Sequence, residues 1–142
     1  MVRVDIVTAK LSELGARTAR VRKHTPATAA VLLRNQDALD LVSFNLMLCV
    51  QSAADIASHV VADEGWRPAL TLGEAFHRLH ENAVLTAATA DAMARAAGLR
   101  NVVAHGYARV DIDAVFGAAS DGIGDLDAFA SEVAAWLKGR IS

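Results

Sequence analysis

Cysteine occurs once in the chain, at Cys49, so no intrachain disulfide can form and a reducing, cytoplasmic setting is expected. Proline occurs twice, which removes most of the obstacles to helix. No uninterrupted apolar run approaches the roughly 20 residues that a membrane-spanning helix needs, so no membrane partner is expected. The opening residues interleave charges at Arg3 and Asp5, unlike a basic-then-apolar leader. A charge excess of one sign is also missing: the net charge is −2, which argues against bulk affinity for nucleic acid through a broad basic surface. A small basic site gripping one or two phosphates stays open. No P-loop or dinucleotide glycine pattern occurs, so ATP binding by this chain alone is not expected.

What is present is apolar residue in quantity, 54% of 142 residues, enough for a core and in keeping with one domain over 1–142. The pattern is helical. Val4, Val7, Leu11, Leu14, Thr18 and Val21 step by 3 and 4 in alternation, which predicts a helix over 3–22 with one buried stripe. Leu39, Val42, Leu46, Cys49, Ala53, Ile56 and Val60 repeat that spacing. This seam runs for roughly 32 Å. The long helix can start at Thr25-Pro26 or at Asn35, and the spacing does not choose between them. Residues 65–68 read as a loop. Thr71 and Glu74 then have capping-box spacing ahead of a short helix that ends near residue 82. Thr86 or Thr89 opens a further helix containing Gly98, whose missing side chain points to close packing or a bend. Beyond Tyr107, aspartates and glycines indicate turns and at most a short helix. Asp125 can cap a last helix that turns Leu126, Phe129, Val133, Trp136 and Leu137 inward. No segment alternates with period two. The expected architecture is all-α, a compact up-and-down bundle of four to five helices.

The strongest concentration of chemistry is the segment from Arg100 to Tyr107. Arg100 offers a permanent cation whose planar fork matches phosphate oxygens. His105 exchanges protons near neutral pH. Tyr107 carries a hydroxyl that donates, accepts or is itself modified, and Asn101 can hold the histidine or a phosphate. On an ideal helix, positions 100 and 107 nearly eclipse, whereas 100 and 105 diverge by roughly 140°. Either the helix ends or distorts near Gly106, or a second protomer completes the site; the second is favoured here. The plain alternative is that these side chains serve a helix C-terminus, where cations complement the dipole.

Arg100, His105 and Tyr107 match the R-x4-H-x-Y signature of HepT proteins, and the chain resembles that toxin family of the HEPN superfamily. The resemblance extends along the sequence. The long helix containing residues 51–61, with Gln51, Asp55 and His59, looks like the family's second helix. Gly65, Pro68 and Glu74–Phe76 resemble its loop and third helix, and Gly98–Tyr107 with Val110 and Asp111 its fourth helix and exit. The resemblance implies an HEPN-like fold and a homodimer with the motif lining a cleft between protomers. It implies metal-independent RNA cleavage, with His105 as general base or acid and Arg100 stabilising the scissile phosphate. It further implies a nucleotidyltransferase antitoxin that attaches AMP units to Tyr107, neutralising a toxin–antitoxin nuclease by occlusion and repulsion. Asn101 and Asp55 are expected to support the motif side chains, with an interhelical hydrogen bond an equal alternative for Asp55. The second functional reading is a non-catalytic HEPN module that binds a nucleotidyltransferase partner or nucleotides; a third is a structural dimerisation domain. No metal or cofactor is expected.

Other candidates are weaker. His77 and His80 have a spacing that can share a metal, yet no Cys or acidic pair completes a ligand set. His59 reads as a structural histidine and Cys49 as a small core residue. Arg17, Arg20, Arg22 and Lys23 form the best basic cluster, for which a solvated helix face is the ordinary explanation. Trp66 and Trp136 read as packing residues.

Overall fold

The computed structural model describes residues 1–105 and 111–140, with the backbone alone described over 99–105. Seven helices follow one another: α1 (Val4–His24), α2 (Ala29–Arg34), α3 (Gln36–Glu64), α4 (Leu72–Glu81), α5 (Ala87–His105), α6 (Ile112–Ser120) and α7 (Gly122–Lys138). No strand occurs among the described residues. Five helices of ten residues or more make the bundle, and α2 and α6, with 6 and 9 residues, are short additions to it.

The periodicity of α1 and α3 translates directly into burial. Val7, Leu14, Thr18 and Val21 of α1 are buried. All seven residues of the α3 seam are buried, five of them with no exposed surface. The two helices run antiparallel: the Arg3 N–H donates to Asp63 Oδ2 at 3.1 Å, and Arg17 Nη1 donates to Asn45 Oδ1 at 3.3 Å. Among the described helices α3 is long and apolar enough to cross a bilayer by length and composition, and more than half of its most apolar window is turned into the bundle.

The ends of the helices follow from individual side chains. Thr25 does not start a helix; its Oγ1 donates to the Val21 carbonyl at 2.6 Å and so finishes α1. Thr28 caps α2, accepting from the Val31 N–H at 3.2 Å. Asn35 caps α3, accepting from the Ala38 N–H at 3.0 Å, which resolves where the long helix begins. Gly65 ends α3 at φ +71°, with the Trp66 N–H reaching back to the Val61 carbonyl at 3.0 Å. That left-handed turn suits glycine because a Cβ would crowd the following carbonyl.

The expected cap at Thr71 is present: its Oγ1 accepts from the Glu74 N–H at 3.1 Å. The reciprocal bond goes one residue further out than the standard capping box, from the Leu70 N–H to Glu74 Oε2 at 2.7 Å. Glu74 Oε1 accepts from Arg78 Nη2 at 3.1 Å, and Arg78 also donates to Glu81 at 3.1 Å and to the Arg67 carbonyl at 3.2 Å. Arg78 is 5% exposed, so this buried guanidinium ties the 65–71 loop to α4.

Close packing by glycine occurs at Gly73, where a Cβ would lie 3.5 Å from the Ala94 Cβ across the α4–α5 contact. At Gly98 a Cβ would meet nothing within 4 Å among the described residues, so the packing role expected there is not found. Asp125 does not cap the last helix. It stands in the first turn of α7, whose N-cap position is Asp121, while Asp111 caps α6 by accepting from the Ala114 N–H at 3.1 Å. The reason is local: Asp121 ends α6 and starts α7 in one step, leaving no loop for a later start. Of the residues expected inward on α7, Leu126, Phe129, Val133 and Leu137 are buried, and Trp136 is partly buried against the core. Phe76 meets Phe129 edge-on at 5.7 Å, and Trp66 meets Trp136 at 6.0 Å.

Two stability outcomes follow. Phe76→Ala, at a site with 0% exposure, should lower unfolding free energy in denaturant titration. The expected loss is about 3–5 kcal/mol. The Leu70 N–H bond, with Arg78 beside it, holds the Glu74 carboxyl below its ordinary value. A depressed folded value gives stability that is present above the unfolded carboxylate range and lost as pH falls through the folded one. The stability difference between wild type and Glu74→Gln should therefore shrink on acidification in melts from about pH 6 to about pH 3; a constant difference would reject the linkage.

Candidate functional site

Residues 100–105 of the segment that carries the chemistry lie on α5, a helix whose start is firmly held. The Thr86 N–H donates to Glu132 Oε1 of α7 at 2.7 Å, and the Thr89 hydroxyl donates to the same carboxylate. Thr86 Oγ1 accepts from the Thr89 N–H at 3.2 Å, so Thr86 is the cap. Ala90 and Met93 are fully buried and Ala97 nearly so, which seats the first three turns of α5 against α3 and α4. With one end pinned and one side packed, the path of the remaining turns is set by helix geometry.

Arg100, Asn101 and His105 fall on those remaining turns, since α5 is helical through His105. Their side chains, and Tyr107 altogether, lie outside the described residues. The helical backbone separates positions 100 and 105 by roughly 140° around the axis.

Asp55, the other expected supporting residue, is exposed on α3, and its Oδ1 accepts from Gln51 Nε2 at 2.9 Å. That bond joins successive turns of one helix rather than two helices. Beside α5, a hollow of about 240 Å³ opens between α3, α6 and α7, with Leu46, Val50 and Met93 as an apolar floor and Arg95 and Asp125 among its lining.

The histidines elsewhere have separate partners. His77 Nδ1 lies 3.9 Å from Asp91 Oδ1 on α5, whereas His80 Nδ1 lies 3.0 Å from the Leu85 carbonyl. The two rings therefore do not converge on a shared ion, and no group of three His, Cys, Asp or Glu side chains gathers at ligand spacing among the described residues. His59 Nε2 lies 3.2 Å from Asp63 Oδ2, one turn along α3. Cys49 is fully buried, and burial pushes its thiol up to about 12, which leaves it protonated and unreactive.

The basic cluster splits. Arg22 pairs with Asp127 of α7, and Arg17 is held by Asn45. Arg20 is exposed and makes no ion pair among the described residues. Two features escaped the sequence reading. Arg78 is buried, although its two flanking glutamates at one-turn spacing signalled partners for it. Phe44 is 54% exposed; the available signal was its position off the α3 seam, between Val42 and Leu46.

Comparison with known proteins gives the family. The profile of the HepT-like family, described as Ribonuclease HepT-like, matches residues 14–133. The mRNA nuclease HepT of Shewanella oneidensis is 27% identical over 90 residues, covering 63% of this chain and 68% of that protein. A solved structure of the tri-AMPylated S. oneidensis HEPN toxin in complex with MNT antitoxin superposes with TM-score 0.84 at 22% identity, covering 92% of this chain and 98% of that one. The cytosolic protein of unknown function YutE from Bacillus subtilis superposes with TM-score 0.85 at 11% identity, covering 99% and 94%. The superpositions show the shared all-α HEPN fold, and the profile match spans most of the bundle, from Leu14 of α1 to Val133 of α7. The chain belongs to the HepT-like ribonuclease family.

Proposed function

We propose that this chain is the toxin of a toxin–antitoxin pair, an endoribonuclease that needs no metal and acts at a cleft between two copies of itself. The observation that carries the reading is the family match over residues 14–133, within which the sequence holds Arg100, His105 and Tyr107.

The chemistry follows from the residue types. In the proposed site, His105 takes the proton of a ribose 2′-hydroxyl as its oxygen attacks the adjacent phosphorus. The bond from phosphorus to the 5′-oxygen breaks, and an imidazolium returns a proton to that leaving oxygen. The phosphate stays behind as a 2′,3′-cyclic diester. Arg100 offsets the charge that builds on the non-bridging oxygens, where a guanidinium fork fits best. One helix spreads positions 100 and 105 apart, which favours two copies sharing the work over one copy acting alone. Asn101 orients the histidine or the phosphate in this scheme. Asp55 is assigned a supporting role from its exposed place on α3.

The S. oneidensis neighbour is AMPylated and in complex with an MNT antitoxin. By analogy, a nucleotidyltransferase partner of this chain transfers AMP to the Tyr107 hydroxyl. Each AMP adds a phosphate beside Arg100, where it competes with RNA for the same cation and blocks entry.

Purified protein should cleave single-stranded RNA in the presence of a chelator. His105→Ala should slow cleavage by roughly 10²–10⁴-fold and Arg100→Ala by roughly 10²–10³-fold, with the dimer mass unchanged in both. Unaltered cleavage by His105→Ala rejects the assignment. Co-expression with the adjacent open reading frame should raise the intact mass by whole AMP units that map to Tyr107, and Tyr107→Phe should abolish the gain. AMP on any other residue, or none, removes the antitoxin part of the reading.

A further inference from the structure

An open groove of about 640 Å³ lies between the C-terminal half of α1 and the first turns of α3. Its most unusual feature is Phe44. Phe76 and Phe129 are fully buried, whereas Phe44 presents 54% of its surface to solvent within this groove. A single exposed apolar residue means little by itself. The surroundings give this one meaning.

Arg17 and Arg20 form one wall. Arg17 is fixed by a buried amide: Asn45 is 3% exposed, donates to the Leu41 carbonyl at 2.8 Å, and accepts from Arg17 at 3.3 Å through its other end. Arg20, exposed, stands at the rim. The opposite wall carries Asp37 and Asp40, the latter accepting from Gln36 Nε2 at 2.7 Å. A groove with an aromatic face, cations on one side and carboxylates on the other matches the three parts of a nucleotide. The base stacks on the ring, the phosphate meets the guanidinium, and amino groups on the base edge donate to the carboxylates. The carboxylates also repel phosphate, so a strand enters in one orientation. An uncharged apolar partner would leave Arg20 and Asp37 without a polar contact from the partner.

We infer that Phe44, Arg17 and Arg20 form a subsite for one nucleotide of single-stranded RNA, outside the Arg100–His105 motif. The inference rests on the ribonuclease reading above and adds to it where the substrate strand is gripped. With a net charge of −2 and no broad basic surface, affinity for RNA must come from a few local contacts, and this groove supplies one.

The test uses the full-length protein and a short 2′-O-methyl RNA, which cannot be cleaved by attack of a 2′-hydroxyl. Phe44→Ala should weaken binding by roughly tenfold, as expected for loss of one base–aromatic stack. An oligomer with abasic sites should bind wild type as poorly as the intact oligomer binds Phe44→Ala. Arg20→Ala should lower the slope of log affinity against log salt by about 0.7, the value for one phosphate contact on a single strand. In Phe44→Trp, the new emission should be quenched by the intact oligomer and not by the abasic one. Exposure of Phe44 and Arg20 means these variants should keep the wild-type melting temperature. Unchanged affinity, salt slope and KM in Phe44→Ala and Arg20→Ala, while wild type cleaves RNA, overturn the subsite and leave the nuclease reading standing. Loss of self-association in Phe44→Ala without loss of RNA affinity also overturns it, by making the groove a protein interface. Absence of cleavage by wild type sinks the nuclease reading, and the oligonucleotide titrations then judge the groove by themselves.

Discussion

Seven side chains on one stripe of α3, from Leu39 to Val60, are withdrawn from water together, and the positions of the other helices follow from covering them. Full burial of each larger member contributes about 1.5–3 kcal/mol, so the stripe outweighs any single polar contact in the bundle. No one helix is wide enough to cover a seam six turns long. α1 lies antiparallel along it, and α4, α5 and α7 complete the enclosure. Polar anchors then remove the remaining freedom: Asn45 to Arg17, Arg78 to the 65–71 loop, and Glu132 to the first turn of α5.

The catalytic assignment depends on that last anchor. A helix held at Thr86 and packed through Ala97 delivers its far turns to a fixed place, and the proposed catalytic residues occupy those turns. The arrangement separates stability from chemistry. Cys49, the one thiol, is buried and kept protonated, and His59, His77 and His80 each have a neighbour unrelated to the motif. Arg100 and His105 remain the pair whose residue types suit phosphodiester cleavage. One helix spreads them around its axis, and the proposal therefore draws on a second copy, as the family resemblance implies. A nucleotide subsite on α1 and α3 would then hold RNA on the body of the bundle while the reacting phosphate sits at the cleft.

Much of the fold was legible because it depends on local period and local chemistry. The stripes of α1 and α3 predicted which residues are buried, and Thr71 with Glu74 predicted the start of α4. Failures came where several short-range signals compete. Thr25-Pro26 reads as a helix start, but Thr25 finishes α1 instead, and the start falls to Thr28. Asp111, Asp121 and Asp125 are all competent caps, and only the tight passage from α6 to α7 decides among them. Gly98 looked like a packing glycine, whereas the close approach belongs to Gly73. Phe44 and Arg78 were missed for a different reason: their signals, a place off the α3 seam and a glutamate about one turn to either side, are weak against the ordinary burial of phenylalanine and exposure of arginine. The motif from Arg100 to Tyr107 was visible from its residue types, and its family was visible from the ordered similarity around it. The proposed meeting of its side chains between two copies is not something a single sequence displays.

The central claim is that a working site takes its arginine and its histidine from different protomers. Mixed dimers of Arg100→Ala and His105→Ala chains, refolded together or co-expressed with different tags and purified by both, test it directly. Each parent homodimer should be strongly impaired, and the mixed dimer should regain cleavage because its cleft holds an intact arginine from one copy and an intact histidine from the other. Mixed dimers that form in good yield and remain as inactive as their parents would contradict the account.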